Sequence, residues 1–70
     1  MFANNNHTAY QVKFLGKKGE VLKTQTVIGK DDATALALGK MIVLNEPTYY
    51  ACTVYLGNLL TGRSFMKETA

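Results

Sequence analysis

Asp31-Asp-Ala-Thr-Ala-Leu-Ala-Leu-Gly-Lys-Met-Ile-Val-Leu44 decides the fold of this chain. It is the one long segment with helical character, and a strand-pair pattern flanks it on each side. Asp31 and Asp32 open it with side chains that accept hydrogen bonds from free N–H groups of a first turn and suit the positive end of the helix dipole. Ala33, Ala35, Leu36, Ala37, Leu38, Lys40 and Met41 are good helix formers. Glu46-Pro47 stops the run, because the residue before a proline is pushed out of the α region. We therefore expect a helix over 31–45.

At about 100° per residue the apolar side chains fall into two groups. Ala35, Leu38, Gly39 and Ile42 share one side, and the small Ala35 and Gly39 suit close approach to a sheet. Ala33, Leu36, Ala37, Met41, Val43 and Leu44 lie roughly opposite, interrupted by Lys40. A helix apolar almost all round is normally buried almost all round. One sheet covers one side, so Leu36, Lys40, Met41, Val43 and Leu44 form a candidate partner or dimer face. Its cover is a curled sheet, the N-terminal arm, a second copy of the chain or a partner; in the free protein a homodimer is the expected one.

Before the helix, Tyr10-Gln-Val-Lys-Phe14 alternates with period two, the mark of a half-buried strand with Tyr10, Val12 and Phe14 inward. Gly16-Lys17-Lys18-Gly19 is a turn; it lacks the Walker spacing and following helix of a phosphate-cradling loop. Glu20 to Ile28, rich in β-branched residues, returns as a strand. Its faces are ambiguous, since either Leu22/Thr24/Thr26/Ile28 or Val21 and Val27 fit inward; we read Leu22 and Ile28 inward. After the helix, Tyr49 to Leu56 is a third strand with Tyr50, Cys52, Val54 and Leu56 on one face and Tyr49, Ala51, Thr53 and Tyr55 on the other. Gly57-Asn58 is a two-residue hairpin loop. The last strand runs from Leu59 to about Met66, with Gly62 as a bulge. The order β-β-α-β-β implies an α+β fold, a four-stranded antiparallel sheet with one helix packed on one face. Residues 1–8 read as a flexible arm, 9–67 as the single domain and 68–70 as a tail.

Seventy residues carry a net charge of +3, which permits nucleic-acid contact without demanding it. No run of like charge exceeds Lys17-Lys18, and the uncharged stretch 47–62 is too broken by Thr, Gly and Asn to span a membrane. The first residues lack a basic start and an apolar signal core. With Cys52 the only cysteine, a reducing, cytoplasmic setting is expected. One histidine and one cysteine far apart, and acids confined to turns and element ends, make no metal or paired-carboxylate constellation. We expect no catalytic, metal or cofactor site and no enzymatic activity.

The outward sheet face is the second candidate surface. Gln11, Lys13, Lys23, Tyr49, Tyr55 and Arg63 are placed there, a basic and aromatic mixture suited to stacking bases and holding phosphates, or to ordinary cross-strand packing. The first hairpin (Ala9 to Ile28), the acid-started, alanine-rich helix (Asp31 to Leu44) and the tyrosine-rich hairpin closing on Gly57-Asn58 resemble, over residues 9–66, the layout of small phage-borne proteins such as type I anti-CRISPR proteins. The resemblance implies a tiny, non-enzymatic, cytoplasmic protein that occupies a surface of a host protein or ribonucleoprotein complex and inhibits or modulates it. A small nucleic-acid-binding regulator is the alternative expectation, and a structural or assembly subunit a third.

Overall fold

The computed structural model describes residues 7–68. The chain runs β1 (Thr8–Leu15), β2 (Val21–Gly29), α1 (Asp32–Asn45), β3 (Ala51–Leu56) and β4 (Leu59–Met66). The strands form one antiparallel sheet in the order β2-β1-β3-β4. α1 lies against one face and touches all four strands, β3 most. This is the α+β arrangement expected from β-β-α-β-β. Most of the expected 1–8 arm, residues 1–6, lies outside the described residues, as does most of the 68–70 tail; β1 already begins at Thr8.

Each hairpin is closed by the glycines that mark it. In the first turn the Gly16 N–H donates to the Glu20 carbonyl (2.9 Å) and the Gly19 N–H to the Gly16 carbonyl (3.0 Å). Gly19 sits at φ 82° and Gly57, in the second turn, at φ 61°, a region that residues with a Cβ rarely enter. Asp31 caps α1: its Oδ1 accepts from the Thr34 N–H (2.9 Å) and the Thr34 hydroxyl (2.8 Å). At the far end the Glu46 N–H reaches the Val43 carbonyl (3.3 Å) just before Pro47.

The core is Tyr10, Val12 and Phe14 of β1, Val27 of β2, Ala35 and Val43 of α1, and Cys52 and Val54 of β3. Leu36, Ile42, Tyr49 and Phe65 pack around it. α1 approaches the sheet along Ala35, Gly39 and Val43, one residue per turn. A Cβ built on Gly39 would stand 3.1 Å from Cys52 Sγ and 3.2 Å from Val12 Cγ1.

Two expectations about faces are corrected here. In β2 the inward residue is Val27, whereas Leu22 and Ile28 are 45% and 57% exposed. Residues directly opposite in a ladder share a face, and the register sets Val27 against Tyr10 and Ile28 against Ala9. Leu22 falls at a register shift, with Phe14 paired to Lys23 and Leu15 to Val21. In α1, Val43 is fully buried and Leu38 is 38% exposed, the reverse of their expected sides. The small residues Ala35 and Gly39 fix the line of closest approach; Val43, one turn beyond Gly39, lies on it, and Leu38 falls well off it.

Candidate interaction surfaces

The outer side of α1 carries Met41 and Leu44, 60% and 58% exposed, with Leu38 at its margin and Ala33 and Ala37 also exposed. Asn45 Nδ2 donates to the Met41 carbonyl (2.8 Å), and Met41, Ile42, Asn45 and Glu46 line a shallow cleft at the C-terminal end. Of the five residues assigned to a partner face, Met41 and Leu44 share this surface. Lys40 flanks it, its ammonium 5.2 Å from the centre of the Phe65 ring. Leu36 is half-buried against the core and Val43 belongs to it, so the sheet covers part of the group and leaves the rest exposed.

The six residues grouped on the outward sheet face are divided by the structure. Gln11, Lys13 and Tyr55 lie there together. Gln11 Nε2 donates to Thr26 Oγ1 (2.9 Å), and Lys13 Nζ stands 4.7 Å from the centre of the Tyr55 ring, within the range of a cation–π contact. Lys23 is set on the helix side by its pairing with Phe14. Arg63 also reaches the helix side, with Nε 3.4 Å from Asp32 Oδ1. Tyr49 precedes β3, so strand alternation does not govern it, and its ring stacks on Phe14 at 4.8 Å and 16°. Of the three cations assigned to that face, only Lys13 occupies it.

Sequence reasoning did not single out the apolar tip of the second hairpin, where Leu56, Leu59 and Leu60 are 42%, 70% and 62% exposed. Strand alternation placed Leu56 on the face of Cys52 and Val54, but those two are fully buried and Leu56 is not. Gly62, at φ 86°, sits where β4 slips register against β3. There the Thr61 hydroxyl donates to the Val54 carbonyl (2.9 Å) and accepts from the Arg63 N–H (3.1 Å).

Two titratable groups are displaced from their ordinary values. The Thr34 backbone N–H, then its hydroxyl, holds the Asp31 carboxyl below the usual carboxylate value, with smaller help from the Lys30 and Arg63 charges. Burial pushes the Cys52 thiol up, away from the thiolate that nucleophilic chemistry needs. Among the described residues no three His, Cys, Asp or Glu side chains come together as a metal site, and no helix is long and apolar enough to cross a membrane. No protein-family model, curated protein or solved structure matches the chain; of the expected resemblance the structure shows the ββαββ layout alone, and no family is identified.

Proposed function

We propose that this is a non-enzymatic, cytoplasmic interaction protein that docks on a host protein or ribonucleoprotein complex and inhibits or modulates it, as the phage-borne proteins of similar layout do. The docking surface is the outer side of α1. The observation that carries the reading is the exposure of Met41 and Leu44 on a helix whose other side is fully packed. Fully burying a side chain of this kind contributes about 1.5–3 kcal/mol; Met41 and Leu44 are 60% and 58% exposed, so roughly three-fifths of that is left for whatever covers them. Lys40 flanks the patch, its ammonium turned to the Phe65 ring.

The test is capture from bacterial lysate with tagged wild type, Met41→Asp and Tyr55→Ala, before and after nuclease, with circular dichroism on each variant. We expect partners that survive nuclease and Tyr55→Ala and are lost with Met41→Asp, since Met41 is exposed and its replacement leaves the fold intact. Partners that vanish with nuclease and with Tyr55→Ala, but tolerate Met41→Asp, would instead support a nucleic-acid regulator working through Gln11, Lys13 and Tyr55. Of the three cations assigned to that face Lys13 alone lies on it, which offers few phosphate contacts, so any such binding is expected to be weak and salt-sensitive.

A further inference from the structure

A cleft of about 450 Å³ opens where the first turn, the α1–β3 loop and the residue after β4 meet. Concave sites of this size, mostly apolar with a few convergent polar groups, are where small molecules bind. Leu22, Pro47, Tyr49 and Tyr50 supply the apolar lining. Leu22 is the extra residue of β2: Phe14 pairs with Lys23 and Leu15 with Val21, so Leu22 has no partner in the ladder, and it is 45% exposed. The lining is set by the fold. The Tyr49 ring stacks on Phe14 at 4.8 Å and 16°, and Phe14 is fully buried. Tyr50 is held by its backbone, its N–H donating to the Leu15 carbonyl (2.7 Å) and its carbonyl accepting from the Lys67 N–H (2.9 Å). A preset site spares a ligand the cost of ordering it.

The uncommitted charge at the cleft is positive. Lys17, Glu20 and Lys67 line it. Glu20 is turned back on its own loop, where its Oε1 accepts from the Lys18 N–H (2.9 Å) and its carboxylate lies against Gly16. Lys67 Nζ donates to the Glu46 carbonyl (3.2 Å) just past α1. Among the described residues Lys17 has no ion pair. We propose that this cleft binds a small planar aromatic acid, its ring against Leu22, Tyr49 and Tyr50 and its carboxylate at the Lys17 ammonium. Tyrosine rings and a leucine offer the apolar contact that a flat ring takes up by offset or edge-on packing, and an ammonium on a flexible stem follows an anion as a point charge. An aromatic cation would add a second positive charge beside Lys17 and Lys67. An acid without a ring would leave Leu22 uncovered. The cleft shares no lining residue with the one beside Met41 at the end of α1, so this inference does not rest on the docking surface proposed above.

The experiment is titration of the full chain at neutral pH with indole-3-acetate, with tryptamine (the same ring on an amine) and with acetate (the same anion without the ring), followed residue by residue through backbone amide NMR shifts. We expect indole-3-acetate to move the amides of Lys17, Thr48, Tyr49 and Tyr50 saturably, with a dissociation constant of about a millimolar, the range of an inefficient ligand of that size. Tryptamine and acetate should bind about fivefold more weakly or less tightly still. Lys17 is exposed in the turn, so Lys17→Glu changes the charge and not the fold; it should weaken indole-3-acetate about fivefold or more. Leu22→Ala, outside the ladder, should weaken it about threefold, and Met41→Asp should leave it unchanged. Absence of saturable shifts at these amides, tryptamine or acetate binding as tightly as indole-3-acetate, a Lys17→Glu or Leu22→Ala variant that binds like wild type, or binding lost with Met41→Asp would each overturn the proposal.

Discussion

Gly39→Ala tests the closeness of helix and sheet. In an exposed helix the change would be favourable, because alanine is the better helix former by about 0.8–1.0 kcal/mol. Here the new Cβ would stand 3.1 Å from Cys52 Sγ and 3.2 Å from Val12 Cγ1, both on fully buried residues. These separations are shorter than ordinary carbon contacts, and forcing extra atoms into a packed core costs about 1–3 kcal/mol. The steric cost exceeds the propensity gain, so we expect a net loss of about 1 kcal/mol. In a domain of this size that lowers the melting temperature by about 4–8 °C. Cys52→Ala removes the nearer obstacle and leaves Val12 in place. Urea denaturation of both single variants and the double variant should therefore give a favourable coupling of about 0.5 kcal/mol or more. Full helix-propensity stabilisation by Gly39→Ala, or strict additivity with Cys52→Ala, would refute the close approach.

Two further outcomes are expected. Val43→Ala should destabilise by about 1.5–3 kcal/mol, because a fully buried side chain is truncated, while Met41→Ala, on the exposed side of the same helix, should change stability by no more than about 0.5 kcal/mol; chemical denaturation of the pair decides which side faces the sheet. The Asp31 carboxyl has its folded pKa below the ordinary value of 3.8, so its charged form favours the folded state. That contribution is complete above the ordinary value and is lost as pH falls through the lower folded one. Asp31→Asn caps the helix comparably without titrating, and should show a shallower acid-side fall in melting temperature than wild type.

The elements were legible because their signals are local. Period-two alternation in Tyr10 to Phe14, glycines at both turns, aspartate at the helix start and the Glu46-Pro47 stop each act within a few residues. The faces were less legible because they depend on partners far along the chain. In β2 both sides carry β-branched residues, so the inward choice of Val27 comes from its register against Tyr10. In α1 apolar residues surround the axis, and no direction stands out until the sheet meets Ala35 and Gly39. Tyr49 was assigned by strand alternation, but β3 starts later and the ring is held by Phe14. Lys23 and Arg63 were grouped with Lys13 by charge alone, and the ladder register and the Asp32 carboxylate place them on the other side.

The strand order also sets an order in time. Each outer pairing, β1 with β2 and β3 with β4, closes across a short turn and can form as soon as its own hairpin does. The central pairing joins Leu15 to Ala51 and Gln11 to Tyr55, and so encloses the whole of β2 and α1 within one loop. The entropy of closing that loop must be met before its contacts repay it. The middle of the sheet, which in space is its most sheltered part, is thus expected to assemble last. Neither hairpin alone can cover the apolar residues of β1 and β3 that form the core.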